Sequence, residues 1–422
     1  MKKQFKIRDN SIVKCKTQAP EIDIPLKQKI TEIAEKTFRG NKYVEKVNIL
    51  GNIRIINNRA FENAKELREV TFSPATMVSV NDYSFRKCKK LERIENMSVI
   101  ISYGKEAFKG CSELESSELH PYLVSLGESC FEGCKSITNV SIPLLQTEVP
   151  KKVFYDCEQL ETVEMNSAAE IICDKAFYGC SSLKEVAFGE SLDTVCSSAF
   201  EGCYSLEKVS FGPNIVKVEK NAFKDCHSLK TVEFSNLEVK KASVAPKAFS
   251  GCFELRTVII PDGKWKLPAS AFHHCKLSAE APIVVITQNG DTAKKLARSL
   301  SSLIKKGLAK IMLGEEEFAV GAPKKSGKSD AKSESAETPV AEAIEKASEG
   351  KSYEVAKDNA ETETAAEATE TVAEETTEET TEETTEEVTE ETTEETTEEV
   401  TEEVTEETTE TALTVPENTD NA

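Results

Sequence analysis

One pattern stands in three successive copies, AFYGCSSLKEVAF at residues 176–188, AFEGCYSLEKVSF at 199–211 and AFKDCHSLKTVEF at 222–234. The copies follow one another with a period of about 23 residues, which lies within the range of known structural repeats. With these three copies included, the Phe that follows the opening Ala occurs eleven times at this repeat position, and eight of the ten intervals between successive Phe residues have this same length. The interval from Phe61 to Phe85 is longer by one position, and that from Phe223 to Phe249 by three. A fixed period of this length is typical of proteins built from stacked structural repeats.

Several other positions follow the same period. Cys stands three positions after the Phe in nine copies, and an apolar residue stands five before it in all eleven. Leu or Ile usually follows at six, and apolar pairs such as Val186 and Phe188 lie at nine and eleven. The unit is therefore IxxxAFxxCxxLxxVxF, and its VxF end alternates as a short strand with one buried face does. Gly, Asn and Asp predominate two positions after the Phe, where they indicate a tight turn.

A single unit cannot bury its own apolar side, whereas stacked copies cover one another. The pattern therefore predicts an α/β-type solenoid that is mostly β, with eleven repeats of about 23 residues each. Its strands should lie about 4.8 Å apart from one repeat to the next.

The recurring AFxxCxxLxxVxF string resembles the BspA-like family of leucine-rich repeats, and the resemblance covers about residues 22–281. It implies a right-handed coil in which a layer of parallel strands lines the concave face. It also implies a role in binding other macromolecules, since members are mostly interaction proteins and some are adhesins. The chain departs from the adhesins because no export signal or wall-anchoring motif is visible.

The chain divides by composition into four parts. Residues 1–21 are expected to form an irregular N-terminal cap, and residues 22–281 form the repeats. Residues 282–318 are expected to form a C-terminal cap, with a strand at 283–286 and a helix capped by Asp291. That helix would have one apolar stripe, formed by Ala293, Leu296, Ala297, Leu300, Leu303, Ile304 and Leu308. Residues 319–422 form a Glu/Thr-rich acidic tail, which is expected to be disordered because it has little to bury.

The net charge of −21 is unevenly placed. From position 321 onward there are 33 Asp or Glu and 7 Lys or Arg, whereas positions 1–320 have 41 acidic and 46 basic side chains. This body has no cluster of Lys and Arg with interleaved aromatics, so no nucleic-acid partner is expected. No apolar run approaches the ~20 residues that span a bilayer, so no membrane insertion is expected. With no visible signal peptide, the expectation is a cytoplasmic monomer; the alternative is a protein at the cell surface or secreted by an unconventional route.

The sequence shows no constellation for catalysis, so the protein is not expected to be an enzyme. Nine of its 13 Cys occupy one inward repeat position, and no two have C-x2-C spacing. Cys173 and Cys196 occupy the same position of adjacent repeats, and whether they pair is left open. His273 and His274 stand where other copies carry varied residues. No catalytic residue, cofactor or metal site is expected.

The candidate partner-binding surface is the set of outward residues that flank the valine of each VxF strand. These are Lys46, Glu69, Arg93, Glu118, Asn139, Glu164, Glu185, Lys208 and Glu233. The longest interval between repeat Phe residues places an additional loop near residues 238–246, where Lys240 and Lys241 offer a second contact. The sequence therefore predicts a non-catalytic protein that binds a protein partner through its concave strand face, with the tail as a solubilising spacer or electrostatic arm. The alternative is a cell-surface adhesin that binds host or extracellular macromolecules.

Overall fold

The chain forms a mostly-β parallel solenoid of about 13 turns. The computed structural model describes residues 4–24, 29–235 and 241–318. The expectation of a disordered tail at 319–422 and the candidate contact Lys240 lie outside these residues. The predicted solenoid is confirmed, and it has more turns than the eleven Phe copies because segments at both ends add strands to the stack.

Most turns contribute one strand to each of two sheets, and the strands are numbered along the chain. The VxF motif forms the first sheet, called here the VxF sheet. Its strands are β3 (Glu21–Ile24), β5 (Lys46–Ile49), β7 (Glu69–Phe72), β9 (Arg93–Glu95), β12 (Asn139–Ser141), β14 (Thr162–Glu164), β16 (Glu185–Ala187), β18 (Lys208–Phe211), β20 (Thr231–Phe234), β22 (Thr257–Ile259), β24 (Ile283–Thr287), β25 (Ala309–Leu313) and β26 (Glu316–Glu317). Apart from the antiparallel pair β25–β26, its paired strands are parallel and in register, as in Val163 opposite Val186. Strand pairing is interrupted twice, between β9 and β12 and between β16 and β18.

A second sheet was not predicted. It is built around the apolar residue five before the Phe, in strands that are mostly two or three residues long. These strands are β1 (Phe5–Arg8), β2 (Ser11–Cys15), β4 (Glu32–Ile33), β6 (Ile55–Ile56), β8 (Val78–Val80), β10 (Ile100–Tyr103), β11 (Ser125–Leu126), β13 (Glu148–Val149), β15 (Ile171–Ile172), β17 (Thr194–Val195), β19 (Lys217–Val218), β21 (Lys241–Val244) and β23 (Lys264–Lys266). A strand of two residues is too short to show alternation in the sequence.

The core between the sheets contains a continuous stack of the eleven repeat Phe rings. Neighbouring ring centroids lie 4.5 Å apart at Phe38–Phe61 and 6.1 Å apart at Phe249–Phe272, and the rings are nearly parallel throughout. Each ring is at most 3% exposed. Stacked, buried aromatics of this kind contribute strongly to core stability, so every turn depends on its neighbours.

The chain turns sharply on both sides of each Phe. All eleven residues two positions after the Phe have positive φ; the first is Gly40 at 66° and the last is His274 at 59°. This confirms the predicted turn. Ten of the residues two before the Phe also have positive φ, although none is Gly; Lys152 at 54° is one example. This second bend was not predicted, because side chains such as Lys and Glu do not mark positive φ in a sequence.

The repeat Cys is a hydrogen-bond donor as well as a small core residue. In all nine copies its Sγ donates to the backbone carbonyl of the Phe one turn earlier, at 3.0 to 3.3 Å. The two N-terminal copies lack this bond: Ala64 has no donor, and the Asn41 side chain accepts from the backbone N–H of Tyr43 and Val44. A thiol suits this position because it is apolar enough to be buried and still donates weakly.

The N-terminal cap is regular, so the expectation of an irregular segment at 1–21 is wrong. Strands β1 and β2 form an antiparallel hairpin, and β2 continues the second sheet by pairing with β4. Phe5 closes the aromatic stack with an edge-on contact to Phe38, at 6.5 Å between centroids. The hairpin therefore covers the first turn.

At the C-terminal end the predicted strand and helix are both present, but the capping residue differs. Helix α1 (Gly290–Ser299) is capped by Asn289, whose side chain accepts from the N–H groups of Asp291 and Thr292. Asp291 instead lies in the first turn and pairs with Lys294. A second short helix, α2 (Ser301–Ile304), and β25 follow. Leu308 therefore lies outside the helices, contrary to the prediction. The described residues also include two 3₁₀ helices, at Met97–Val99 and Ala269–Phe272.

Candidate interaction face

The N-terminal part of the VxF sheet carries charges that neutralise one another. Lys46 Nζ lies 2.7 Å from Glu69 Oε1, and Arg93 Nη2 lies 3.0 Å from Glu69 Oε2, so three consecutive strands share one ion-paired row. The hydrogen bond from Lys46 lowers the pKa of the Glu69 carboxyl. Alongside, the amide of Asn48 donates to the carboxylates of Glu21 and Asp23. These side chains are already partnered within the sheet.

The candidate partner-binding residues nearer the C-terminus are either ion-paired or lie outside the VxF sheet. Lys208 Nζ lies 3.2 Å from Glu233 Oε2 across β18 and β20. Lys241 is exposed, but it begins β21 of the second sheet and therefore does not belong to the VxF sheet. The predicted second contact at Lys240 and Lys241 thus has one residue on another sheet and one outside the described residues.

The outward surface of the VxF sheet, called here the VxF face, has a different charge pattern at its middle than at either end. Glu118, Glu164 and Glu185 are all exposed. Among the described residues, no basic nitrogen lies within 4.0 Å of these three carboxylates. Asn139, the remaining candidate, is exposed beside them. The centre of the VxF face therefore carries uncompensated negative charge.

The VxF sheet is interrupted at this centre. Residues 116–118 stand where a strand is expected but form none, so β9 and β12 belong to separate sheets. Serine side chains replace part of the missing ladder: the Ile94 N–H donates to Ser116 Oγ at 3.1 Å, and Ser117 Oγ donates to the Asn139 carbonyl at 2.6 Å. The reason is local, since Ser117 and Leu119 occupy the positions of the buried Val and Phe in other copies.

A cavity of about 590 Å³ opens at this break. Its lining joins apolar side chains to polar ones from three consecutive turns: Leu119, Ile142, Met165 and Leu144 with Glu118, Asn139, Ser141 and Glu164. Three of the predicted partner-binding residues, Glu118, Asn139 and Glu164, therefore line one cavity. The expectation of an unbroken strand ladder is wrong here, and the Ser at position 117 was the available signal.

Beside the second sheet, three side chains of the types that bind metal ions lie close together. Ligand atoms of Asp174, Cys196 and Glu219 lie within 4.8 Å of one another. Each carboxylate already has a partner, because Glu219 accepts from Lys217 and Ser197 and Asp174 accepts from the Ser197 N–H. Burial and then Glu219 raise the pKa of the Cys196 thiol to about 12. We assign no metal to this cluster. Cys173 and Cys196 are free thiols in the structure.

The fold and the face together define a leucine-rich-repeat scaffold, whose distinctive surface is a strand layer. The BspA type leucine rich repeat region family matches in six copies, over residues 6–76, 31–160 and 147–278. The chain belongs to this family. None of the curated proteins compared with it matches.

Solved structures of leucine-rich-repeat proteins resemble the chain in fold. A leucine-rich repeat protein from Bacteroides ovatus is 20% identical, with a TM-score of 0.53 over 68% of this chain and 82% of that one. The leucine-rich repeat protein of T. pallidum is 21% identical, with a TM-score of 0.37 over 49% and 89%. A leucine rich cell surface protein from Faecalibacterium prausnitzii is 20% identical, with a TM-score of 0.32 over 67% and 91%. The first of these shares the fold.

Among the residues that the structure describes, no helix has the length and apolar character needed to cross a membrane.

Proposed function

We propose that this chain is a non-catalytic binding protein that holds a protein partner on its VxF face, centred on the break between β9 and β12. One observation carries the proposal. Charged side chains form ion pairs within each end of the face, whereas among the described residues no basic nitrogen lies within 4.0 Å of the Glu118, Glu164 and Glu185 carboxylates at its centre. Charge that is not matched within a protein is available to a partner.

The architecture suits such a role. Successive turns are joined by the Phe stack and the Cys hydrogen bonds, and on either side of the break also by the two sheets, so the turns that carry the face are held in place. A supported surface loses less conformational entropy when a partner binds. The cavity adds an apolar recess, which is the kind of feature where interfaces place their most important contacts.

The test combines capture with matched substitutions. Full-length protein bearing Ser141→Arg, which changes an exposed residue of the cavity, should lose the partners that the unaltered chain captures from native lysate. Gln159→Arg is the control, because it makes the same change at an exposed position that does not line the cavity. Equal losses from both variants, or from neither, would contradict binding at this face.

We propose in addition that residues 319–422 act as a solubilising spacer or electrostatic arm. Their strongly acidic Glu/Thr repeat supports this, because repeated like charges keep a chain extended and soluble. Circular dichroism of the isolated 319–422 peptide should show little helix at neutral pH. A strongly helical spectrum would count against a flexible arm.

We place the protein in the cytoplasm, as a monomer without nucleic-acid or membrane partners. The 13 free thiols support this location, since thiols persist in reducing compartments. The alternative is a cell-surface adhesin. An antibody against the tail should label permeabilised cells only, and labelling of intact cells would favour the adhesin instead. Light scattering should give a mass near 46.5 kDa.

A further inference from the structure

The cavity at the break brings apolar and anionic surfaces together. Its floor includes Ile142, which is 2% exposed, and the half-buried Leu119 and Met165. At its edge Leu144 is 56% exposed, whereas the leucines of the repeat motif are almost completely buried. Water in contact with this floor and edge would be released by an apolar group from a partner.

The anionic part of the cavity comes from one row of the repeat. Glu118, Ser141 and Glu164 occupy equivalent positions in consecutive turns, and Ser141 is directly opposite Glu164 in the parallel register of β12 and β14. Glu118 and Glu164 are two turns apart along this row, with Ser141 between them. Both carboxylates line the cavity together with the apolar floor.

Side chains with a long apolar stem and a charged end match this arrangement. The stem of Arg or Lys can lie on an apolar surface while its cationic end reaches a carboxylate. Arg in addition presents several N–H donors in a planar fork, which suits a carboxylate. An acidic segment, including the chain's own Glu-rich residues 376–407, would be repelled by Glu118 and Glu164.

We infer that the cavity binds an extended segment of a partner protein that carries Arg or Lys next to an apolar residue. This inference rests on the proposed function and names the chemistry of the partner at the same face. The apolar residue packs on Leu119, Ile142 and Leu144, and the basic residues reach Glu118 and Glu164.

The experiment measures binding of defined peptide libraries to the full-length protein by fluorescence anisotropy. One library has Arg or Lys fixed beside Leu, a second has Glu at the basic position, and a third keeps Arg or Lys but replaces Leu by Ser. The first should bind at least roughly tenfold more tightly than either of the others, because each lacks one half of the match. Affinity for the first library should also fall as salt rises, since the carboxylates are exposed.

Two variants with the same change in charge locate the site. Glu118→Gln with Glu164→Gln should weaken binding of the first library by roughly tenfold, since both charged partners are lost. Glu170→Gln with Glu254→Gln, two exposed carboxylates that do not line the cavity, should leave it unchanged. Circular dichroism and the melting temperature check that both proteins are folded.

The outcomes separate this inference from the broader proposal. If the Glu library binds as well as the basic one, or if both double variants behave alike, the basic–apolar segment is excluded. If Ser141→Arg abolishes capture of the native partner while Glu118→Gln with Glu164→Gln does not, binding at the face stands and the charge match is overturned. If Ser141→Arg has no effect on the native partner but the peptides bind as predicted, the cavity is a peptide site and the face-centred function fails.

Discussion

A thiol excluded from water has difficulty ionising, and the repeat Cys gives this property a role in stability. Cys88 is completely buried, its Sγ lies 3.0 Å from the carbonyl oxygen of Phe61, and burial raises its pKa from 9.0 to about 12. In the unfolded chain the same thiol ionises near its ordinary pKa. Between these two pKa values the unfolded state binds fewer protons than the folded state, so the free energy of unfolding falls as pH rises.

We therefore expect the effect of Cys88→Ala to depend on pH. At about pH 7.5 the substitution should lower the free energy of unfolding by about 1 kcal/mol, through the lost hydrogen bond and packing. At about pH 10.5 the unaltered chain should have lost roughly 2 kcal/mol that Cys88→Ala does not lose, because Ala has no proton to retain. The sign of the difference should therefore reverse, with Cys88→Ala more stable by about 1 kcal/mol. Urea unfolding of both proteins at the two pH values measures this, and Lys ion pairs weakened by alkali affect both equally. A pH-independent difference would show that the buried thiol is not the cause.

At the scale of single elements, the coil that interrupts the VxF sheet depends on its serine side chains. The N–H of Ile94 would have no strand partner if it did not donate to Ser116 Oγ. Ser116→Ala should therefore speed hydrogen exchange of the Ile94 amide and destabilise the chain by about 1 kcal/mol. Ser141→Ala is the control, since this exposed serine lies on the same face and its side chain accepts and donates no hydrogen bond within the described residues. Unchanged exchange at Ile94 would mean that water replaces the serine.

Helix α1 allows a direct comparison between Asn289, which caps it, and Asp291, which the sequence predicted as the cap. Asn289→Ala should cost about 1 kcal/mol, because two N–H groups of the first turn lose their acceptor. Asp291→Ala should lower the stability much less, since an exposed ion pair with Lys294 contributes little. Thermal unfolding followed by circular dichroism distinguishes the two variants. Equal effects would refute the assignment of Asn289 as the cap.

These elements also show which features a sequence can specify. The Phe period predicted the core, the VxF strands and the turn after each Phe, because one residue type repeats where packing permits little else. The second sheet was missed because strands such as Ile55–Ile56 are too short to alternate. The break was missed because Ser117 looks like ordinary variation in one copy, although it removes the apolar residue on which the strand depends. The ion-paired row of Lys46, Glu69 and Arg93 was visible as a row, but its pairing depends on side-chain conformations.

At the scale of the whole molecule, a stack of repeats is stable only as far as neighbouring turns support each other. Strand pairing is interrupted in both sheets near residues 116–126, where the VxF sheet has no strand at residues 116–118 and the second sheet ends at β11 and resumes at β13. The VxF sheet is also interrupted between β16 and β18, but there the second sheet continues through β15, β17 and β19. The Phe stack does continue across this region, with Phe108 5.6 Å from Phe131 and Phe131 5.5 Å from Phe154. Backbone hydrogen bonds around the Phe also continue, as from the Phe108 N–H to the Cys130 carbonyl at 2.9 Å. The two halves are thus joined by core contacts and by this row of hydrogen bonds, whereas the strand pairing of both sheets is interrupted.

We accordingly expect the repeats to unfold in two stages separated near residues 111–126. Hydrogen exchange followed by mass spectrometry at increasing urea should show peptides before residue 111 and peptides after residue 148 losing protection at different concentrations. Ser117→Val with Leu119→Phe, which restores the repeat pattern, should bring the two transitions together, because a rebuilt strand would join β9 to β12. The same variant should bind basic–apolar peptides less well, since the cavity would close. Loss of protection in one step in the unaltered protein would show that the aromatic core and the backbone hydrogen bonds around the Phe couple the turns across the break.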